Sequence, residues 1–276
     1  MDRLELLALY DLKERLTVEY PDMRREVGDR VVRHAPLAPK RGFRDGFISY
    51  SRLDEATVES AIDQQVQAFA ALGADFEWKV YDHDTPADLR QRLTARGFES
   101  DEPEAIMALP LALAPPVLLA PVTHDVRRLE DADQLDDVLG VQREVWQQEH
   151  NGLAGYLRDT MIQHPELLSV YVAYDQGRPV ASGWLRHDTA SPFASLWGGS
   201  TLEARRGRGF YTALLAARVQ EALRRGAAYL TIDASPMSAP IVQRLGFIHL
   251  TTAWACNWRA APDNGAAILE GPDHGR

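Results

Sequence analysis

The sequence predicts an α/β (α+β) protein of two related domains, each a mixed twisted sheet flanked by helices. The order helix, glycine, strand, helix, Gly-Phe, strand runs over residues 66–109 and again over residues 219–258, which favours a tandem of similar units. Four prolines between residues 110 and 121 break an apolar stretch between the two copies. We therefore divide the chain into a first domain (1–115), a proline-rich linker (116–121), a second domain (122–260) and a mobile tail (261–276).

Composition narrows the class of protein. The chain has 276 residues, an apolar fraction of 45% and a net charge of −10, values typical of a folded protein without a general surface for nucleic acid or anionic membrane. Its one cysteine, Cys256, excludes an internal disulfide and a multi-cysteine metal site. Because no signal peptide or membrane span is evident, we expect a cytoplasmic protein. We also expect a monomer or homodimer that needs no metal.

The first half contains alternating helix and strand signals. A leucine-rich amphipathic helix is predicted within residues 1–20, because its leucines recur at helical spacing. The next helix follows Asp54 and stops at Gly73, since the former residue type caps helices and the latter ends them. Alternating apolar residues and a Thr-Pro helix start complete the pattern. The remaining predictions are strands at 31–33, 46–50, 76–81 and 105–109 and a short helix ending at Gly97.

The second half follows a similar order, with an added hairpin. Residues 169–174 and 179–185 alternate on either side of Asp-Gln-Gly-Arg, which indicates two antiparallel strands. Gly198-Gly199, within a third strand, indicates a β-bulge. The other predictions are helices at 132–146, 153–162, 212–225 and 236–245, and strands at 126–129, 193–201, 229–233, 249–251 and 253–258.

The turn Arg206-Gly207-Arg208-Gly209, between a strand and a helix, carries the strongest functional signal. A helix N-terminus presents unpaired backbone N–H groups and partial positive charge, and nearby arginines add donors that suit phosphate oxygens. The spacing of its glycines matches neither the dinucleotide fingerprint nor the P-loop. The turn therefore predicts a site for a diphosphate, with the pyrophosphate of coenzyme A as the leading candidate.

Residues 122–259 resemble the GNAT superfamily of acyl-CoA-dependent N-acyltransferases. The resemblance lies in residues 206–209, which match the family's Arg/Gln-x-x-Gly-x-Gly/Ala loop up to its last position, and in a later helix that ends Arg-Leu-Gly-Phe at 244–247. Tyr211 stands where the family usually has a small residue. The resemblance implies acetyl-CoA as co-substrate. The residues that it and the turn chemistry assign to the cofactor are Thr201, Leu202, Arg206, Gly207, Arg208, Gly209, Phe210, Tyr211, Ser235 and Ser238.

The first copy differs at the position of the turn. Residues 53–57 read Leu-Asp-Glu-Ala-Thr, which offers no glycine for close backbone approach and two carboxylates that would repel a phosphate. We therefore expect a degenerate first domain and one cofactor per chain.

The sequence signal for the catalytic groups is weaker than the signal for the cofactor turn. Attack of an amine on a thioester needs the amine neutral, so a base or water relay should remove a proton. Asp233, Glu149 and His187 are candidate bases, with Glu144 and His150 near the same expected acceptor site. Each has a structural alternative: Asp233 could cap a helix, and the others could be surface groups. The family often places a tyrosine acid where this chain has Val242.

The sequence therefore predicts an N-acetyltransferase that moves an acetyl group from acetyl-CoA to a primary amine of a small molecule or protein by direct attack. The acidic composition favours a cationic acceptor. The alternative is a non-catalytic acyl-CoA-binding or regulatory module, because Val242 replaces the usual acid.

Overall fold

The structure is a computed structural model that describes residues 1–28, 30–37, 46–147 and 151–260. Within these residues, twelve strands form one mixed sheet and helices cover both of its faces. The predicted fold class is confirmed. The predicted tail at 261–276 lies outside the described residues.

The helices and strands follow the predicted alternation. In chain order the strands are β1 (Met23–Val27), β2 (Val31–Pro36), β3 (Phe47–Ser51), β4 (Phe76–Tyr81), β5 (Glu99–Ser100), β6 (Glu104–Pro110), β7 (Asp125–Arg128), β8 (Leu168–Asp175), β9 (Arg178–His187), β10 (Phe193–Thr201), β11 (Tyr229–Ala234) and β12 (Ile248–Trp258). The helices are α1 (Arg3–Tyr10), α2 (Val58–Leu72), α3 (Leu89–Ala95), α4 (Pro116–Leu119), α5 (Leu135–Trp146), α6 (Asn151–Gln163), α7 (Phe210–Arg224) and α8 (Ala239–Arg244).

The two halves of the chain exchange their last strands. The sheet order is β1-β2-β3-β4-β12-β6-β11-β10-β9-β8-β7. Strand β6, from the first half, lies between β11 and β12 of the second half and is antiparallel to both. The end of β12 in turn pairs with β4 and β5 of the first half. The division at residue 115 stays a prediction, and the hydrogen-bonded sheet runs across both halves.

Apolar side chains pack on both faces of this sheet. On one face, α5 and α6 cover β8 and β9, and Leu6 and Tyr10 of α1 pack against Ile106, Phe193 and Leu250 at the joint between the halves. On the other face, α4, α7 and α8 cover the centre of the second half, where their apolar residues form one cluster with β6, β9, β10 and β11. The joint is thus part of the hydrophobic core.

A buried arginine fills the gap between β3 and β4. These parallel strands pair at only two positions. Beyond them, Arg15 donates from Nε to the Ser49 carbonyl (3.2 Å) and from Nη2 to Asp84 (2.6 Å), with its guanidinium 3.7 Å from the centre of the Tyr81 ring. The corresponding gap in the second half, between β10 and β11, opens into a cleft. In its described residues, the first half therefore has no open slot at the position where the second half has one.

Most predicted elements appear, with several differences. The short strand β5 was not predicted, and the strands expected at 249–251 and 253–258 form the single strand β12. The first helix is shorter than its leucine pattern suggested and continues as a π-helical turn at Asp11–Leu16. Strand β1 has no clear alternation of apolar residues and was not predicted. The predicted linker contains α4, whose Leu118 is buried against α7. Among the helices of the described ranges, none is both long and apolar enough for a membrane span.

Candidate functional site

The site begins where β10 and β11 separate. The strands pair in parallel from Phe193 to Leu196, and the pairing of β10 with β9 then shifts register between Trp197 and Ser200. Gly198 has a φ of +59°, and a Cβ there would lie 1.9 Å from the Trp184 ring, so only glycine fits. The predicted bulge is confirmed. It leaves an open gap between the two strands.

The glycine turn lies at the carboxyl end of β10, as predicted. Gly207 and Gly209 have φ values of +73° and +86°, a region that favours glycine. Gly209 caps α7, whose first helical hydrogen bond runs from the Ala213 amide to the Gly209 carbonyl. The amides of residues 210–212 thus lie outside the helical pattern, and no side chain of the described ranges caps them. A helix start with free amides is suited to binding an anion.

The backbone amide of Arg206, a residue predicted to bind the cofactor, already makes a hydrogen bond within the protein. The Arg206 N–H donates to the Glu203 carbonyl at 3.1 Å, closing a short 3₁₀ turn. The anion site therefore begins after Arg206 rather than at its amide. This correction follows from a local turn that the sequence did not reveal.

Two of the three arginines at 205–208 share one carboxylate partner, and the third does not. Arg205 and Arg208 both contact Asp175, at 2.8 and 3.2 Å. Arg206 is exposed, has no carboxylate partner among the described residues, and donates from Nε to the Thr201 carbonyl at 3.3 Å. Its charge is therefore the one in this group best able to meet a phosphate.

A cleft of about 710 Å³ joins the turn to the gap between the strands. It passes the bulge and reaches Asp233 at the end of β11 and the first turn of α8. The Thr201 hydroxyl in its wall is buried and has no hydrogen-bond partner among the described residues, so it is available to a ligand. Ser235 and Ser238 line the cleft, with hydroxyls 3.2 Å apart.

Eight of the ten predicted cofactor residues line this cleft, and two do not. Leu202 donates its amide to the Val180 carbonyl and packs with an apolar cluster. Arg208 points to Asp175, as described above. Those that line it are Thr201, Arg206, Gly207, Gly209, Phe210, Tyr211, Ser235 and Ser238. Burial raises the pKa of Tyr211.

The far end of the cleft contains an ion-pair cluster from both halves of the chain. Lys79 of β4 is bonded through Nζ to Asp233 of β11 and lies 3.1 Å from Glu104 of β6. Both carboxylates line the cleft. Burial opposes the charge of Lys79, but Asp233, with help from Tyr81 and Glu104, raises its pKa well above the usual value. Asp233 therefore meets Lys79 instead of capping α8.

Of the other two candidate bases, the one that the structure describes, His187, is not in the cleft. His187 lies at the end of β9, is 6% exposed, and is absent from the cleft lining. Burial, followed by the charge of Arg225, lowers its pKa to about 4. Glu149, like His150, lies outside the described residues. Glu144 is exposed on α5 and does not line the cleft.

Several lining residues were not assigned from the sequence. Trp146 and Trp197 line the cleft, whereas Trp184 belongs to the core beneath the bulge. Arg218 of α7, about two turns after the start of the helix, also lines the cleft, although its side chain is only 1% exposed. Val242 is fully buried in the core, so it leaves no polar group at that position.

The fold and cleft are those expected of a GNAT-type protein, and comparison with known families is consistent with this. Residues 127–247 match the model of the acetyltransferase (GNAT) family. The match supports, for this part of the chain, the resemblance that its motifs predicted. A search of curated proteins gave no significant match.

Solved structures match almost the whole chain. A GCN5-related N-acetyltransferase from Kribbella flavida is 17% identical, with a TM-score of 0.66 and coverage of 94% of this chain and 96% of that one. A tandem GNAT protein of the clavulanic acid biosynthesis pathway is 14% identical, with a TM-score of 0.57 and coverage of 95% and 94%. At these identities the likeness concerns the fold, and it is consistent with a tandem arrangement of two GNAT units.

Proposed function

We propose that this protein is an N-acetyltransferase that moves an acetyl group from acetyl-CoA to a primary amine of a small molecule or protein. The observation that carries the proposal is the continuous cleft from the glycine turn to the separated strands. One end offers free amides and Arg206 to an anion, and the other end has carboxylates suited to an amine. A cofactor with a diphosphate at one end and a reactive thioester at the other matches this arrangement.

Different residues would hold the parts of coenzyme A. The amides of residues 210–212 and the Arg206 guanidinium would bind the diphosphate. The backbone left unpaired at the bulge and the Thr201 hydroxyl would bind the pantetheine arm. Ser235 and Ser238, at the start of α8, would contact the arm or the thioester.

The reaction would proceed by direct attack. The amine nitrogen bonds to the thioester carbonyl carbon, the carbon–sulfur bond breaks, and coenzyme A leaves as a thiolate. The nitrogen loses a proton to a base, and this proton then passes to the thiolate to give the free thiol. We assign the proton to Asp233, directly or through water, because it is the predicted base that lines the cleft. A neutral asparagine at 233 should therefore lower kcat more than it weakens acetyl-CoA binding.

The acceptor class follows from charge. The chain carries a net charge of −10, and Glu104 and Asp233 at the acceptor end outnumber Lys79. Cationic amines such as polyamines or aminoglycosides are favoured by this field.

A non-catalytic acyl-CoA-binding module is the second candidate, and the buried Val242 favours it by removing the usual acid. The two functions are separated by incubating the protein with acetyl-CoA and a panel of amines while free thiol is measured. Thiol release that depends on an amine supports transfer. Binding of acetyl-CoA without thiol release across the panel supports the binding module.

The cofactor assignment is tested by calorimetry on Arg206→Glu combined with Gly209→Val. This variant reverses a charge and strains the turn, so we expect acetyl-CoA affinity to fall by at least about 100-fold. The matched control is Arg24→Glu with Gly73→Val, because Arg24 is exposed and Gly73 also has positive φ. Equal affinity in the turn variant and the control would refute the assignment.

A further inference from the structure

A buried cation lies in the wall of the cleft and has no acidic partner among the described residues. The Arg218 side chain is 1% exposed. Its Nε donates to the Leu214 carbonyl at 3.2 Å, and its Nη1 lies 3.4 Å from the carbonyls of Trp184 and Trp197. Its Nη2 makes no hydrogen bond within the described residues. The contacts are long and neutral, so they leave part of the guanidinium's donor capacity unused.

The other fully buried arginine shows what this one lacks. Arg15 is also 1% exposed, yet it contacts Asp11 at 2.8 Å and Asp84 at 2.6 Å. Glu221 is one turn from Arg218 on α7, but its carboxylate pairs with Arg224 and Arg225. Burial without a counter-charge lowers the pKa of Arg218 to about 10. Buried charges in proteins are normally paired, so this arrangement indicates a missing anion.

The glycines around Arg218 make room for it beside the bulge. A Cβ at Gly183 would lie 2.9 Å from Nη1, and one at Gly199 would lie 3.7 Å from Nη2. Gly199 belongs to the bulge and lines the cleft together with Arg218 and Tyr211. The guanidinium is therefore held next to the gap between β10 and β11, where the proposed function places the pantetheine arm that leads to the thioester.

We propose that Arg218 binds a carboxylate of the reacting ligand. This inference rests on the proposed function, since it assumes that acyl transfer takes place in this cleft. The carboxylate has two possible sources: the far end of the acyl group on coenzyme A, as in a dicarboxylic monothioester, or the acceptor amine. In both cases the unused Nη2 donors and the positive charge of the guanidinium favour an anion over a neutral group of equal length.

The experiment compares two matched pairs of ligands. Succinyl-CoA and butyryl-CoA have four-carbon acyl chains that end in carboxylate and methyl, and they test the donor. With acetyl-CoA as donor, γ-aminobutyrate and n-butylamine make the same comparison for the acceptor. Dissociation constants of the thioesters and kcat/KM for all four are measured in the natural protein and in Arg218→Met. Coenzyme A itself serves as the control for binding of the common part.

We expect one pair to show a preference of about 10- to 100-fold for the carboxylate, the range for hydrogen bonds to charged groups. Arg218→Met should abolish it while the affinity for coenzyme A stays within about twofold. The pair that responds identifies the source. If Arg218→Met does not fold, Arg218→Lys takes its place, because it keeps the charge but loses the fork and should reduce the preference.

The absence of a carboxylate preference in both pairs overturns the proposal, as does a preference that the Arg218 variant keeps unchanged. Either result leaves Arg218 as a support for the bulge carbonyls. The proposed function would fail in a different way, by a loss of coenzyme A binding or of acetyl transfer to n-butylamine. Neither of these needs a carboxylate on the ligand.

Discussion

Lys79 and Asp233 form an ion pair that joins the two halves of the chain at the end of the cleft. The lysine is 11% exposed and the aspartate 19%, and Glu104 is the lysine's second partner. The contact exists because strand exchange places β6 and β12 between β4 and β11. The cluster thus connects the packing of the first half to the geometry of the candidate active site.

Replacing Lys79 by methionine should destabilise the protein by about 2–4 kcal/mol, because a partly buried carboxylate loses its counter-charge. Since the folded pKa of Lys79 is raised, this stabilisation is present below the ordinary lysine pKa and is lost as pH rises through the folded value. Denaturant unfolding between pH 7 and 11 measures it. Arg24→Met, at an exposed pair, is the control, and equal effects of both variants would contradict the prediction.

Gly198→Ala should cost about 3 kcal/mol of unfolding free energy or more, since its Cβ would overlap the Trp184 ring and φ is positive. Gly199→Ala is the matched control, because its nearest contact is an ordinary 3.5 Å to the Tyr211 ring. Calorimetry with acetyl-CoA should also show weaker binding for Gly198→Ala than for the natural protein. Similar stability of the two variants would mean that the bulge is not fixed by glycine.

Two buried histidines should make the protein sensitive to mild acid. Burial lowers the pKa of His34 and of His187 to about 4, and the ring nitrogens of His34 and Nε2 of His187 have no partners in the described structure. Both stay neutral when folded but take up protons when unfolded. The free energy of unfolding therefore keeps its full value above about pH 6.5. It falls as pH decreases towards 4, by about 2 kcal/mol for each histidine at pH 5.

This acid sensitivity is measured by denaturant unfolding at pH 7 and pH 5. His34→Gln and His187→Gln should each reduce the change between the two pH values. His164→Gln, at a side chain 39% exposed, should leave the change as it is. An unchanged pH dependence in both buried variants would refute the prediction.

Calorimetric titration should give one coenzyme A per chain. In the first half, Arg15 and Asp84 fill the gap between β3 and β4, and residues 53–57 have no glycine turn. Arg15→Ala should destabilise the fold by about 3–5 kcal/mol because it leaves Asp84 buried without a partner. It should not create a second site, since the anion-binding turn is still missing. A stoichiometry of two would show that the first half binds coenzyme A by other means.

Local signals explain most of what the sequence predicted correctly. The glycines at 207 and 209, the bulge at 198–199 and the β8–β9 hairpin depend on residues close together in the chain. Leu202 and Arg208 were predicted to contact the cofactor, but neither lines the cleft. The direction of a side chain in a turn depends on its neighbours. Here those neighbours are Val180 and Asp175, from another part of the chain.

The sequence by itself determined the α/β fold class, the repeated unit and the anion-binding turn, since each follows from composition or short-range spacing. Only the tertiary structure decided that β6 and β12 change halves, that Lys79 meets Asp233, and that Arg218 lies beside the bulge. Arg218 and Gly183 are 35 positions apart in the chain, and Lys79 and Asp233 are 154 positions apart. Pairings of that range depend on strand order and burial, which no local pattern specifies.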